Sequence, residues 1–427
     1  MGAASAHTHD ASRVQEGDAN QMEASAPIQM LDGYKVIDFT QAVAGPTATL
    51  MLAEMGAEVI KVELMPNGDL TRAIPLIKQG RSGYFVQHNR GKKSICVDVK
   101  NPEGLALIKG LIPQMDVLME NFAPGVIGRL GLDYATVKAL NPRIVMCSLS
   151  AFGQTGPLAN EPGFDTLGSA YAGIASMGGE AEGSPYVPQA AIGDVSTGAH
   201  AALAICAALL YRGRTGRGQF LDVSLLDTYF HYHEVSVQMH SLSGGEIKPF
   251  RSGRHSFYLA PVGIFRGKEK YIVIMCAVDH QWVALCEVIG QPELATDQRF
   301  ATREDRIRNL PALVEAIEGW LRSMPSDEAA MDAMRARRIP MAPVLTVAEA
   351  MQHPHLRQRG TIRKVHDRAL GDFELPGFAI RFSDFPRPLD LEAPFLGEHN
   401  EEIFTRYLGY DAGQVKQLER RGIVRKE

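Results

Sequence analysis

No CxxC pair, no HExxH run and no GxGxxG turn occurs in these 427 residues. The five cysteines, Cys96, Cys147, Cys206, Cys276 and Cys286, are odd in number and scattered. That argues against a disulfide framework or a cysteine metal cage, and reads as free thiols of a reducing cytoplasm. His231 and His233 stand two apart and cannot share a helix face, so no metal centre is expected. Lysine and arginine never form more than a short cluster, and formal net charge is −5, so no nucleic-acid partner is expected. The longest apolar run, from Ala201 to Tyr211, is too short to span a bilayer, so no membrane segment is expected either. Residues 1–27 are polar and lack an apolar h-region, which excludes a secretory signal and reads as a disordered tail.

What remains is a chain of ordinary globular composition, 45% hydrophobic and 22% charged, long enough for two domains. Residues 34–39 (YKVIDF) form a strand and 40–46 a turn, with Pro46 suited to open a helix over 47–55. Gly56 closes that helix, and 58–63 (EVIKVE) is a second strand. Further strands at 94–99, 117–120 and 144–149, with a helix at 103–112, continue the alternation of a doubly wound α/β sheet. Residues 150–188 are rich in Gly and Pro and read as loops around a short helix at 166–175. An apolar helix follows at 196–210, then a break at GRTGRG, a strand at 220–225 and a helix at 226–241. From about residue 250 the strands at 257–265 and 270–277 alternate as antiparallel strands do, with helices at 280–289, 310–323 and 327–337.

Several residues invite a chemical role. Glu63 closes the second strand, where a ribose-binding acid sits in dinucleotide folds, but the preceding turn has one Gly and a Pro where N–H groups are needed. HNRGKKS (88–94) reads either as a solvated loop or as a phosphate ligand, with Lys100 just beyond and Arg129 equally ambiguous. Asp194, in IGDVSTG, precedes an apolar helix. Two roles are open to it: a helix N-cap, or a carboxylate kept ionised by the helix N-terminus and able to attack a carbonyl carbon. Asp165, in GFDTLG, is a second acid before a short helix.

At these residues the chain resembles the class III CoA-transferases, the family of formyl-CoA:oxalate, carnitine and bile-acid-inducible CoA-transferases. The resemblance rests on stretches in order from 31 to the C-terminal part: LDGYKVIDFTQAVAGP (31–46), GAEVIKVE (56–63), KKSICVDVKNPEG (92–104), ENFAPGVIGRLG (120–131), NPRIVMCSLSAFGQTGP (141–157), GFDTLGSAYAG (163–173), IGDVSTG (192–198), TGRGQFLDVSLLD (215–227) and LGEHNEEI (396–403). It implies that Asp194 is the nucleophile, and that CoA is met by Val43 and Ala44, by Val97, Asp98 and Lys100, by Asn121 and Phe122, and by Arg129. It gives the basic cluster a ligand, the phosphates of CoA. CoA is then a co-substrate, with no tightly bound cofactor.

The fold implied is α/β: a Rossmann-like large domain from both chain ends (28–225 and 346–427), a linker (226–250) and a smaller α+β domain (251–345), in an interlocked-ring homodimer. This chain departs from the formyl-CoA enzyme at Val43, where that enzyme has Gln, and at Leu64, where it has Arg. It also lacks the run of consecutive glycines, whose counterpart here is Gly244–Gly245 or residues 251–255. These departures argue against a formyl-CoA:oxalate pairing. The α-methylacyl-CoA racemases share the fold but use a His where this chain has Phe164, which carries no proton. A non-catalytic acyl-CoA-binding protein is the third reading.

Overall fold

The computed structural model describes residues 29–74, 76–385 and 388–427; the tail expected over 1–27 lies outside them. Its centre is a parallel six-stranded sheet. The strands are β1 (Lys35–Asp38), β2 (Glu58–Leu64), β3 (Lys92–Val97), β4 (Val117–Glu120), β5 (Val145–Ser150) and β6 (Phe220–Ser224). They lie in the order β3-β2-β1-β4-β5-β6, every pair parallel. The chain direction of assembly reverses between β1 and β4, and in open α/β sheets ligands bind at the carboxyl ends of strands beside that reversal.

Both sheet faces are covered, so β2 and β5 are buried almost throughout, Lys61 and Glu63 of β2 included. Successive strand residues point to opposite faces. Ile37, Ile60 and Ile95 pack on one side with α3 (Pro102–Leu111) and the C-terminal helices α7 (Asn400–Leu408) and α8 (Ala412–Arg420), through Ile403, Phe404 and Leu418. Val36, Val59, Val117 and Val145 pack on the other with α1 (Ala44–Glu54) and α5 (Ile192–Thr215), through Ala48, Leu52, Ala201, Ile205 and Leu209. Each fully buried aliphatic or aromatic side chain contributes ~1.5–3 kcal/mol to this assembly.

A separate core, built around Phe265, Trp282, Phe300 and Leu313, belongs to an antiparallel three-stranded sheet. Its strands are β7 (Val262–Arg266), β8 (Tyr271–Met275) and β9 (Met341–Pro343), with β8 in the middle.

Several expected boundaries move. The first helix starts at Ala44, so Pro46 is its third residue, not its first. The short helix expected at 166–175 is α4 (Asp165–Tyr171) followed by a separate turn of helix at Ile174–Met177. The helix expected over 226–241 is two: α6 (Leu225–His231) and a second at Ser236–Leu242. His233 bonds the Ala172 carbonyl through Nε2 at 2.8 Å between them, where the chain turns out of helical geometry.

Helix α5 runs over 24 residues, far longer than the 196–210 expected, and is long and apolar enough by composition to cross a bilayer. One face is nevertheless buried against the sheet and α1.

Candidate functional site

The turn between β1 and α1 sits at the carboxyl edge of the sheet and is fixed from every side. Lys61 Nζ donates to the Thr40 carbonyl at 2.7 Å and pairs with Asp69 at 2.8 Å. Lys92 Nζ donates to the Pro46 carbonyl at 3.2 Å and to Asp38 at 3.1 Å. From the other side of the strand reversal, Asn121 accepts from the Gln41 N–H and donates to the Gln41 carbonyl, each at 2.8 Å. Ala42, a non-glycine residue at φ +66°, donates its N–H to Asp69 at 3.3 Å. Such strain persists only where the surroundings over-determine it.

The turn delivers Val43 as N-cap of α1 with no side-chain cap bond, so the N–H groups of Ala44 and Gly45 have no intrahelical acceptor. A free helix N-terminus of this kind attracts negative charge.

Helix α5 crosses this N-terminus. A Cβ built on Gly198 would lie 2.5 Å from the Ala44 carbonyl oxygen, so only glycine permits the approach. Asp194 stands one turn earlier on the same face. Contrary to the sequence reading, it is not the cap: Ala191 is, and Asp194 is the third residue of the helix.

Nor is it held ionised by the helix end. Burial, and then the negative charge of Asp165, push its carboxyl up to about 7. The burial cost and a like charge outweigh the helix dipole here.

Asp165 opens α4 and accepts a hydrogen bond from the Tyr229 hydroxyl at 2.6 Å. That same hydroxyl accepts from the Gly193 N–H at 3.1 Å. A Cβ on Gly193 would lie 2.1 Å from both the Asp165 Oδ1 and the Tyr229 ring. Tyr84, from α2 (Gly83–Asn89), completes the surroundings: burial and the Asp194 charge both raise its hydroxyl pKa. Tyr84 carried no signal in the sequence, and Tyr229 reads there only as an aromatic of a pocket wall or of the core, not as a partner of an acid.

The basic cluster is not a solvated loop. His88 and Asn89 end α2, and Arg90 and Lys92 are buried, paired with Glu54 and Asp38 at 2.8 and 3.1 Å. Burial brings Lys92 down to about 8 against the opposing pull of Asp38, and burial, with Lys92 and Arg90 nearby, brings His88 down to about 4. Lys93 pairs with Glu58 and Glu402. These side chains are committed within the fold and are not free to bind phosphate. Glu63 is committed likewise, holding Arg72, Ser94 and the Asp69 N–H.

Of the other expected contacts, Val97 is fully buried in the core, Phe122 packs partly against it, and Asp98 accepts from the Lys100 N–H at 3.1 Å. Lys100 and Arg129 are exposed, and neither makes an ion pair among the described residues. Among the described residues, no group of three or more His, Cys, Asp or Glu is placed to hold a metal ion.

The site therefore unites a raised carboxyl, a second acid, two phenols and a free helix N-terminus at the carboxyl edge of a parallel sheet. Comparison with known proteins gives this constellation its context. The chain is 36% identical over 383 residues to the acetyl-CoA:oxalate CoA-transferase of Acetobacter aceti, covering 89% of this chain and 96% of that one. It is 32% identical over 395 residues to the mouse succinyl-CoA:glutarate CoA-transferase, covering 92% and 90%. A CaiB/BaiF family crystal structure from Brucella suis superposes with a TM-score of 0.78 at 33% identity, covering 89% of this chain and all of that one. The family model for CoA-transferase family III matches residues 31–400, and the chain belongs to that family, enzymes that transfer CoA from an acyl-CoA to an acid.

Proposed function

We propose that this enzyme carries CoA on Asp194 as an aspartyl thioester between an acyl-CoA donor and a free carboxylic acid. The observation that supports this most is the raised, half-buried carboxyl of Asp194, on the face of α5 that one turn later, at Gly198, packs against the uncapped start of α1. A carboxylate of higher pKa is the stronger nucleophile, and oriented N–H groups stabilise the oxyanion formed when a thioester carbonyl is attacked.

In the first half, an Asp194 oxygen bonds to the donor's carbonyl carbon, CoA leaves as thiolate, and a mixed anhydride forms. The thiolate then attacks the aspartyl carbon, giving the aspartyl-CoA thioester and releasing the donor acid. In the second half, the acceptor carboxylate attacks the aspartyl carbon and expels the thiolate, which attacks the acceptor's acyl carbon to give the new acyl-CoA and free Asp194. Exclusion of water preserves the thioester energy throughout.

The Ala44 and Gly45 N–H groups are suited to the oxyanion role, since α1 gives them no acceptor. Lys100 and Arg129 are the cations available for the CoA phosphates, with Val43, Ala44, Asp98 and Phe122 along the path.

The same reading takes the chain as a homodimer whose large domain joins residues 28–225 to 346–427, with 226–250 a linker and 251–345 a smaller domain. The outer face of α5 supports a partner: Leu203 and Leu210, seven residues apart, are 68% and 67% exposed, and Leu242 beyond them is 83% exposed. Four of the five free cysteines are buried, in keeping with a reducing cytoplasm. A racemase reading lacks its second base, since Phe164 stands where a proton carrier is needed.

The test is isotope exchange. Labelled free acid should enter the acyl-CoA pool in the presence of the enzyme, and Asp194→Ala should abolish the exchange. Persistent exchange in Asp194→Ala would exclude Asp194 as the carrier.

A further inference from the structure

The hydroxyl of Tyr229 occupies a position that the transfer chemistry does not itself require. It lies between two acids, one hydrogen bond from Asp165 and one from the backbone of the residue preceding Asp194. Tyr229 is 5% exposed, on a helix separate from both acids. Burial and its bond to Asp165 raise its own pKa, so the hydroxyl keeps its proton and remains a donor across the working range. Its ring and Asp165 also fill the space that any side chain at position 193 would need.

We propose that Tyr229 is a positioning residue for the transfer reaction, locking the first turn of α5 to α4 and so fixing the geometry and mutual repulsion of the Asp165–Asp194 pair. This rests on the reading of Asp194 as the nucleophile. The groups facing Asp194 are Asp165 from α4, Tyr229 from α6 and Tyr84 from α2. The portion of α1 packed on the helix face shared by Asp194 offers Ala44 and Thr47, neither charged. His200, on α5 itself, bonds the Ser196 carbonyl, and Asp222 on β6 accepts from the Gln154 N–H.

Burial raises the Asp194 carboxyl most, and Asp165 is the charge that adds to it. A hydrogen bond donated to Asp165 withdraws part of its negative charge. Removing the donor strengthens the repulsion felt by Asp194, whereas removing the Asp165 charge relieves it.

Two variants separate this from simple packing. Tyr229→Phe keeps the ring and loses only the hydroxyl; its acid limb for kcat/KM should move up by about half a pH unit or more, with kcat down roughly tenfold and KM nearly unchanged. Asp165→Asn keeps an acceptor for the hydroxyl and loses the charge, and its acid limb should move down.

The same samples should be followed by mass spectrometry for CoA bound at Asp194. No adduct in the turning-over native enzyme would overturn the nucleophile reading. An adduct in the native enzyme, formed at the same rate and with the same pH dependence in Tyr229→Phe, would overturn the role of Tyr229. Opposite shifts in the two variants establish it.

Discussion

Asn121 grips both backbone groups of Gln41, its Oδ1 accepting from the N–H and its Nδ2 donating to the carbonyl, across the point where the sheet order reverses. The bond pair joins the ends of β1 and β4, and it holds Ala42 in a backbone conformation that a non-glycine residue seldom adopts. Replacing Asn121 with Ala leaves two backbone groups without their partner, at ~1–3 kcal/mol of stability, and frees the turn that opens α1. The expected result is a KM for acyl-CoA raised roughly tenfold with a smaller change in kcat, checked by steady-state kinetics beside thermal melts. An unchanged KM would show that the turn does not shape the CoA site.

The ionisation of Asp194 sets the pH dependence. Its carboxyl titrates at about 7, raised by burial and by Asp165. The nucleophile is the anion, so kcat/KM should fall about tenfold for each pH unit below 7 and level off above it.

Stability runs in the opposite sense. The folded pKa lies above the unfolded value of ~3.9, so the favourable contribution is complete below pH ~4 and is lost as pH rises through 7. Asp194→Asn should therefore be more stable than the native protein at pH 8, by up to ~4 kcal/mol, with the gap narrowing toward pH 4. Denaturant titrations at the two pH values check the sign.

Lysines that look alike in HNRGKKS and VDVKN should behave differently. Lys92 is buried against Asp38, and Lys92→Ala removes that carboxylate's ion-pair partner while Thr40 and Thr49 still donate to it; unfolding experiments should show a loss of ~3–5 kcal/mol. Lys100 and Arg129 are exposed and carry no ion partner among the described residues. Lys100→Ala and Arg129→Ala should leave stability within ~0.5 kcal/mol of the native value and raise the KM for acyl-CoA, most visibly at low salt.

Gly193→Ala places a methyl group into the Asp165 and Tyr229 contacts. Overpacking of this kind costs ~1–3 kcal/mol and displaces the neighbours. Because Asp194 is the next residue, kcat should fall by two orders of magnitude or more while the protein still folds, with circular dichroism as the control.

The parallel sheet was legible because its strands are short apolar runs set between helices with their own punctuation. Asn101 caps α3 ahead of Pro102, and Gly56 turns the chain into β2 at φ +97°. The site was legible only as far as local signals reach. Asp194 looked like a cap because polar residues before an apolar run usually are; the true cap, Ala191, offers no side-chain bond and leaves no mark in the sequence.

Its raised pKa comes from burial and then from Asp165, and that acid is held by Tyr229, 64 residues away in the chain. The basic cluster misled for the same reason. Its counter-charges, Glu54 and Asp38, lie 36 and 54 residues earlier, so a buried network had the composition of a wet loop.

The covalent state of Asp194 during turnover tests the account most directly. The enzyme should be mixed with acyl-CoA in the absence of acceptor acid, quenched with acid, digested, and the peptide containing residue 194 weighed. A mass gain of one CoA less water on that peptide, discharged when a carboxylic acid is added, is the predicted result. Sustained CoA transfer with that peptide always unmodified would contradict it.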